Sequence, residues 1–369
     1  MRMRIAIFHE LPKKSGSRKS VDVIASILSK KNTVDLYYTD SKKTYDKKLP
    51  FKTYLTIFNP VVWNGNNPAV RIYRDTIELI KLFLLHKKIA KKIKEKKYDV
   101  IFIHGSFLTE SPFLLLFKNS LKIYYAHAPN YTFVYEKVMG IPKIDRARFA
   151  YEYMIRVIRR MIDKKNVRSA DVILANSFYT KNKIQVFYGK KSIVAYLGVD
   201  TSIYKPSATK KKYDFLFVGS YHPVDGYNLL HQALVLMKKK PQYKVLAIED
   251  EWIDDDRLMS KLYNSSKVVL CLSHGEPFGL VAIEAMSCGV PVIAVDEAGY
   301  KETVIHNKTG LLIKRDPEDL ASAIKKLTKN NARLKLYSRN ARAAAVAQWS
   351  WKVSVSRMEQ IMQRKVGQV

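Results

Sequence analysis

The sequence predicts an α/β protein made of two open, doubly wound parallel sheets, one in each half of the chain. Three observations predict it. Short apolar runs, such as Ile5–Phe8 and Val268–Leu272, alternate with stretches of helical periodicity along most of the 369 residues. Leu272 to Val295 reads as strand end, loop, helix, turn and buried strand, the outline of a right-handed β-α-β crossover. A lysine-rich stretch with Pro206, residues 205–212, divides two such alternations in the manner of a linker.

In the first half, Arg4 to Phe8 is the opening strand. His9 to Ser20 reads as a loop, with Pro12, Gly16 and three serines, and Val21 to Lys30 as a helix with Val21, Ile24 and Leu28 on one face. Strands are expected at Val34–Tyr38 and Thr53–Phe58, with a polar loop holding Trp63 behind them. Ala69 to Lys97 reads as one long helix. Ile77, Ile80 and Leu84, then Leu85, Ile89 and Ile93, recur at helical spacing, and lysines crowd the second half as on a solvated outer face. Strands at Asp99–Ile103, Lys122–Tyr125, Asp171–Ala175 and Ser192–Tyr196 alternate with helices at Arg146–Lys165 and from Ser177.

The second half opens with strand Tyr213–Val218, the turn Gly219-Ser220-Tyr221-His222-Pro223-Val224-Asp225-Gly226, a helix from Tyr227 and strand Tyr243–Ile248. The acidic run Glu249 to Asp256 has no His partner and reads as helix caps and solvated loop, not a metal site. Lys267 to Leu272 is a strand covered on both faces. Pro277 and Gly279 launch a helix, Gly289 ends it with Pro291 two residues on, and Val290–Val295 is the next buried strand. Helices at Asp316–Leu327, Asn331–Gln348 and Trp351–Arg364 finish the chain.

The loop after Leu272 sits at the carboxyl end of a parallel strand, where open α/β sheets bind ligands. Glu276 and Glu284 frame it and can accept hydrogen bonds from hydroxyls. The amides of Phe278, Gly279 and Leu280, free at a helix start, can bind an anion. Carboxylates for hydroxyls beside amides for phosphate suit a sugar nucleotide. A helix start with an acidic first turn and a second surface Glu accounts for the same residues.

The run from Leu272 to Leu312, with P-F-G-L, E-A-M-S-C-G-V-P-V-I-A and E-A-G-Y-K-E-T-V-I-H-N-K-T-G-L-L, resembles the E-x7-E element of retaining glycosyltransferases of the GT-B architecture, in their family-four group. The resemblance implies two Rossmann-like domains facing each other across a cleft: an acceptor-side domain over 1–200, a donor-binding domain over 201–348, and a terminal helix, 349–369, crossing back to the first. It implies transfer of a sugar from an activated nucleotide or lipid phosphate donor, with a UDP- or GDP-linked sugar expected, to a hydroxyl acceptor with its anomeric configuration kept, and with no metal or cofactor. Glu276 then holds donor-sugar hydroxyls and Glu284 the ribose. The amides of Phe278, Gly279 and Leu280 face phosphate or sugar, and His127, at a strand end, meets the sugar from the other domain. Gly16 is what remains of the family's glycine pair in the first loop, and Tyr131–Arg148 is an acceptor-side loop. The family's phosphate-gripping Gly-Arg and Lys-Gly stand here as Gly219-Ser220 and Asp225-Gly226. Either His222 or Lys205 substitutes for the lost cations, or the donor carries less charge, or the chain binds without catalysing.

The net charge is +32, and +23 of it falls in residues 1–200. Such a field draws polyanions. No zinc-ligand spacing, aromatic RNA-binding run or basic arm goes with it, so an anionic membrane surface presenting a glycan or lipid-linked acceptor ranks above nucleic acid. A non-catalytic sugar-nucleotide binder and a basic nucleic-acid-associated protein are the rival readings. Cys271 and Cys288 read as buried thiols in a reducing compartment. The apolar start is too short for a signal peptide and no run reaches transmembrane length, so the expected location is cytoplasmic, peripheral on the inner face of a membrane.

Overall fold

The computed structural model describes residues 2–11, 15–41, 49–61, 67–106, 108–128, 146–238, 241–251 and 253–368, without the side chains of 146–148. The expected acceptor-side loop over 131–148, apart from the helix start at 146, and residues 62–66 of the Trp63 loop lie outside the described residues.

Seven parallel strands form the first sheet: β1 Arg4–His9, β2 Thr33–Asp40, β3 Lys52–Ile57, β4 Val100–Ile103, β5 Leu121–Ala126, β6 Val172–Ala175 and β7 Ile193–Val194. Their order is β3-β2-β1-β4-β5-β6-β7. The central runs Ile5–Phe8 and Val100–Ile103 are almost without exposed surface because helices cover both faces, which is why they read as unbroken apolar stretches. Helices α1 (Gly16–Leu28), α2 (Pro68–Tyr73), α3 (Leu79–Glu95), α4 (Arg146–Arg168) and α5 (Phe178–Tyr188) belong to this domain.

The second sheet holds β8 Tyr213–Gly219, β9 Tyr243–Ala247, β10 Ser266–Cys271, β11 Val292–Val295 and β12 Gly310–Ile313, in the order β12-β11-β10-β8-β9. Around it lie α6 (Tyr227–Leu236), α7 (Asp256–Asn264), α8 (Leu280–Ser287), α9 (Tyr300–Thr303), α10 (Pro317–Thr328) and α11 (Asn331–Gln348); α12 (Trp351–Val366) then returns to the first domain. There it packs on α1, and Glu359 accepts a hydrogen bond from Asn32 at 2.7 Å. Both sheets are doubly wound, with switch points between β1 and β4 and between β8 and β10. Their carboxyl ends face each other there, so both strand-end loops meet at one cleft.

Three local expectations need correction. The first helix begins at Gly16, not Val21, because Ser15 caps it by accepting from the Arg18 amide at 3.2 Å. The expected single helix over 69–97 is interrupted by a π turn at Arg74–Glu78. That wider turn takes up an extra residue and rotates the helix beyond it, so Leu79, Leu82, Ile89 and Ile93 face the core while Ile77, Ile80 and Leu84 face water. Strand β12 and the short α9 are additions that the sequence pattern does not announce; β12 completes the sheet edge against β11.

Candidate active site

The loop between β10 and α8 is built around one carboxylate. Glu276 Oε1 accepts from the Gly279 amide at 2.9 Å and from the Phe278 amide at 3.3 Å. Two of the amides expected to stand free for an anion are therefore taken by the chain's own acid. The reason is local: a Glu two and three residues before these N–H groups reaches them as a cap, and α8 lacks any other side-chain cap at its N-cap residue. Gly279 has φ +98°, a conformation that a side chain would strain, and the Tyr300 ring lies 3.0 Å from where its Cβ would stand. Burial pushes the Glu276 carboxyl up, the two amides pull it back, and the Asp225 charge adds to the rise.

Glu284 lies one and a half turns into α8. Its Oε2 accepts from Tyr263 of α7 at 2.8 Å. Burial raises its pKa to about 7; the Tyr263 hydrogen bond lowers it, Asp256 raises it and Lys19 lowers it. Lys19 comes from the other domain. Its Nζ lies 3.0 Å from Asp256 and 3.4 Å from Asp254, so the acidic run is a docking point for α1, and Asp255 caps α7.

The opposite domain closes on this domain at three places. Leu280 Cδ1 lies 3.0 Å from where a Gly16 Cβ would stand, so the bare backbone at 16 lets α1 reach α8. The Phe278 side chain is 1% exposed and packs with Tyr196 and Trp349, their ring centroids 6.0 and 5.6 Å away. Glu302 accepts from the amides of Phe178 and Tyr179 at 2.8 and 2.9 Å, placing a carboxylate of the second domain on the N-terminus of α5.

His127 stands at the end of β5, its backbone carbonyl held by Asn176 at 2.8 Å. Its Nε2 meets His104 Nδ1 at 3.0 Å, so that nitrogen points into its own domain. Burial lowers the His127 pKa to about 4 and holds His104 well below the usual range, His127 and His9 adding to the latter. Both imidazoles are neutral near pH 7 and share one hydrogen bond, whose direction fixes the other nitrogen's tautomer.

In the turn after β8, Ser220 Oγ donates to Asp225 Oδ2 and accepts from the His222 amide at 3.2 Å; Ser273 donates to Asp225 Oδ1 at 3.3 Å. Gly219 lies tightly against Asp225 and Phe217. The structure thus brings Glu276, Glu284, Phe278, Gly279, Leu280, Gly219 and Ser220 to one end of the second sheet, Gly16 against them, and His127 to the facing end of the first. His222 is exposed on the turn.

Residues 28–203 match the family described as Glycosyltransferase Family 4, and residues 251–344 the family described as Glycosyl transferases group 1. This chain is a family-four glycosyltransferase with the GT-B architecture. A 41.2 kDa protein in the cps region of Klebsiella pneumoniae is 28% identical over 275 residues, 66% of this chain and 72% of that protein. Among solved structures, sucrose-phosphate synthase from Thermosynechococcus elongatus superimposes with a TM-score of 0.77 at 18% identity, covering 100% of both chains. HepE from Anabaena, in complex with UDP and glucose, does so with a TM-score of 0.68 at 17% identity, covering 98% of this chain and 100% of that one. At these identities both structures speak for the fold.

Several residues that shape the glycosyltransferase's cleft do not stand out in the sequence: Lys19, His104, Tyr263, Glu302 and Arg315. Lys19 is one lysine among many. His104 follows β4 as His127 follows β5, and two histidines at the ends of adjacent parallel strands are a usable signal. Arg315 clasps Glu297 at 2.7 and 2.9 Å and donates to the Leu272 carbonyl at 2.7 Å, fixing the strand end from which the Glu276 loop departs. Beside that strand end a cavity of about 660 Å³ opens between the domains, bordered by His274, Glu297 and Arg315 on one side and Tyr179 and Lys183 on the other. Among the described residues no group of three or more His, Cys, Asp or Glu stands close enough to hold a metal ion. No described helix is long and apolar enough to cross a membrane.

Proposed function

We propose that this glycosyltransferase moves a sugar from a nucleotide donor, UDP- or GDP-linked, to a hydroxyl of a glycan or lipid-linked glycan with retention of configuration. On this reading it needs neither metal nor cofactor and works peripherally at the inner face of a membrane. The observation that carries the reading is the pair Glu276 and Glu284 on one loop and helix, eight residues apart at the switch point of the second sheet, with α1 of the first domain closed over them. The UDP and glucose in the HepE complex support the donor class by analogy of fold.

Each residue then has a limited task. Glu284 takes ribose hydroxyls, alongside the Tyr263 hydroxyl it already holds. Glu276 takes sugar hydroxyls, through its second oxygen or by yielding the Phe278 and Gly279 amides to the donor. His127 offers its Nδ1 side to the sugar from across the cleft. The leaving phosphate accepts the acceptor's proton on the face from which it departs, so the protein contributes orientation and charge stabilisation and no nucleophile of its own. The carboxylates, the neutral histidine and the helix start supply hydroxyl and phosphate contacts suited to that task.

Incubation with UDP- and GDP-linked hexoses and a lipid-linked disaccharide acceptor, with the product's anomeric proton read by NMR, tests it. An inverted product refutes retention. Failure to bind or consume any nucleotide sugar refutes the donor.

A further inference from the structure

The two strand-end histidines of the first domain stand in different surroundings. His104, after β4, is fully buried, and its backbone amide donates to the Phe8 carbonyl at 2.8 Å, which ties it to the end of β1. Its ring lies 4.5 Å from the Phe102 ring and 5.5 Å from the Tyr125 ring, centroid to centroid, and both of those side chains are buried too. The Tyr125 hydroxyl is engaged elsewhere, donating to the Ala195 carbonyl at 2.7 Å. His127, at the end of β5, is half-buried. Tyr125 meets its ring edge-on at 4.9 Å, and His104 Nδ1 bonds its Nε2 at 3.0 Å.

The bond between the rings holds one proton, and the two ways of placing it are not equivalent. Burial keeps both imidazoles neutral near pH 7, so each ring has one N–H and one bare nitrogen. His104 Nε2 is buried and meets no hydrogen-bond partner. If the shared proton belonged to His127, His104 would carry its own proton on Nε2, as a buried donor with nothing to receive it. If it belongs to His104 Nδ1, only a bare lone pair is left at Nε2. Protein interiors leave a buried acceptor unpaired more readily than a buried N–H. His104 Nδ1 is therefore the donor and His127 Nε2 the acceptor. The His127 proton then sits on Nδ1, which takes part in no hydrogen bond among the described residues.

We propose that His104 is a positioning residue, holding the His127 ring by Nε2 so that His127 presents an Nδ1–H to the cleft as a hydrogen-bond donor. Such a group can donate to a sugar hydroxyl oxygen. It cannot remove a proton, because the only basic nitrogen of the ring is already engaged by His104. The orientation of a contact group, and not its basicity, is then what His104 supplies. That the donor meets a sugar rests on the reading above; the place of the proton does not.

Two variants of the full chain separate this role from packing, because they move activity and stability in opposite directions. His104→Phe keeps a ring beside Phe102 and Tyr125 and removes both the donor and the unpartnered nitrogen. Its thermal unfolding is expected at or above the native temperature, while kcat/KM for sugar transfer falls about tenfold. His104→Asn returns an amide N–H close to the place of Nδ1 and leaves a gap where the rest of the ring stood. It is expected to unfold at lower temperature and to keep most of the native kcat/KM. Side-chain 15N spectra at about pH 7.5 read the proton itself, with His127→Gln identifying the His127 signals. The native protein is expected to show Nδ1 protonated and Nε2 bare, and His104→Phe a mixture of the two tautomers. A native His127 protonated at Nε2 overturns the proposal, as does a native tautomer with native turnover in His104→Phe. Activity that follows stability, with His104→Phe active and His104→Asn inactive, also overturns it and makes His104 a packing residue. A native protein with the expected tautomer that consumes no UDP- or GDP-linked hexose defeats the donor reading and leaves the His104–His127 assignment standing.

Discussion

Glu276 Oε1 lies 2.9 Å from the Gly279 amide nitrogen and takes its hydrogen, so the acid proposed to hold substrate also caps α8. The two roles separate by substitution. Glu276→Gln keeps an oxygen for the amides and loses the charge; Glu276→Ala loses both. Transfer is expected to fall by about a hundredfold or more in each. Only the alanine variant loses the cap, at about 1 kcal/mol of stability. Steady-state transfer and thermal unfolding measure the pair, and wild-type turnover in both variants would remove Glu276 from the site.

The two sheets are legible in the sequence because their central strands, such as β1, β4 and β10, are buried on both faces and so appear as continuous apolar runs between breakers. The loop with Glu276 and Glu284 is legible for the same reason: its strand, Pro277, Gly279 and Gly289 punctuate it. What escapes such reading depends on phase or on tertiary partners. A π turn shifts which residues of 74–95 face inward, and the Ile77, Ile80 and Leu84 spacing looks the same whether it meets core or water. The occupied amides of Phe278 and Gly279 are equally hidden, since a Glu at position 276 can turn toward ligand or toward its own helix. Lys19 and Glu302 act only across the domain gap, which no local pattern records.

If Glu284 holds the donor as proposed, nucleotide binding is expected to depend on pH. Its folded pKa, raised by burial to about 7 from an ordinary 4.5, means that ionisation costs stability as pH rises between those values. A carboxylate that receives ribose hydroxyls is most effective when ionised, so donor affinity is expected to rise as pH climbs through about 7. Glu284→Gln should flatten the profile. Tyr263→Phe and Lys19→Ala each remove an influence that holds the pKa down, and should move the step to higher pH. Calorimetric titration with UDP between about pH 6 and pH 8.5 reads all four profiles. A flat native profile counts against Glu284 as the titrating contact.

Gly16 and Leu280 test whether the closed approach of the domains serves the reaction. A valine at 16 must push against the Leu280 side chain, whose Cδ1 already stands 3.0 Å from the Cβ position. Gly16→Val is expected to lower kcat/KM roughly tenfold by holding α1 away from α8. Leu280→Ala in the same chain should recover much of it, because the colliding methyl is gone. The double-mutant cycle should return a coupling of about 1 kcal/mol. Additive effects would mean that the contact is incidental to turnover.

The turn after β8 is the least expected part of a site for a diphosphate. Ser220 and Asp225 stand where the resemblance read from the sequence leads to the expectation of Arg and Lys, and here they bond to each other, with Ser273 holding the second Asp225 oxygen. The Asp225 charge also helps raise the Glu276 carboxyl. A donor diphosphate therefore meets negative charge where compensation is expected, while the helix start of α8 supplies only about half a positive charge and spends two amides on Glu276. We expect a cation from elsewhere, of which His222 on the same turn and Lys205 in the linker are the nearest in sequence logic. Calorimetric titration with UDP and GDP decides it in four variants. Asp225→Asn should tighten nucleotide binding several-fold by removing the like charge, and His222→Ala or Lys205→Ala should weaken it if that residue grips phosphate. Ser220→Arg with Asp225→Lys should tighten it by about tenfold or more if no cation has been recruited. Low-micromolar binding by the native protein that the double change leaves untouched identifies a replaced phosphate contact. Absence of nucleotide binding in every form would mean that the donor is not a nucleotide sugar.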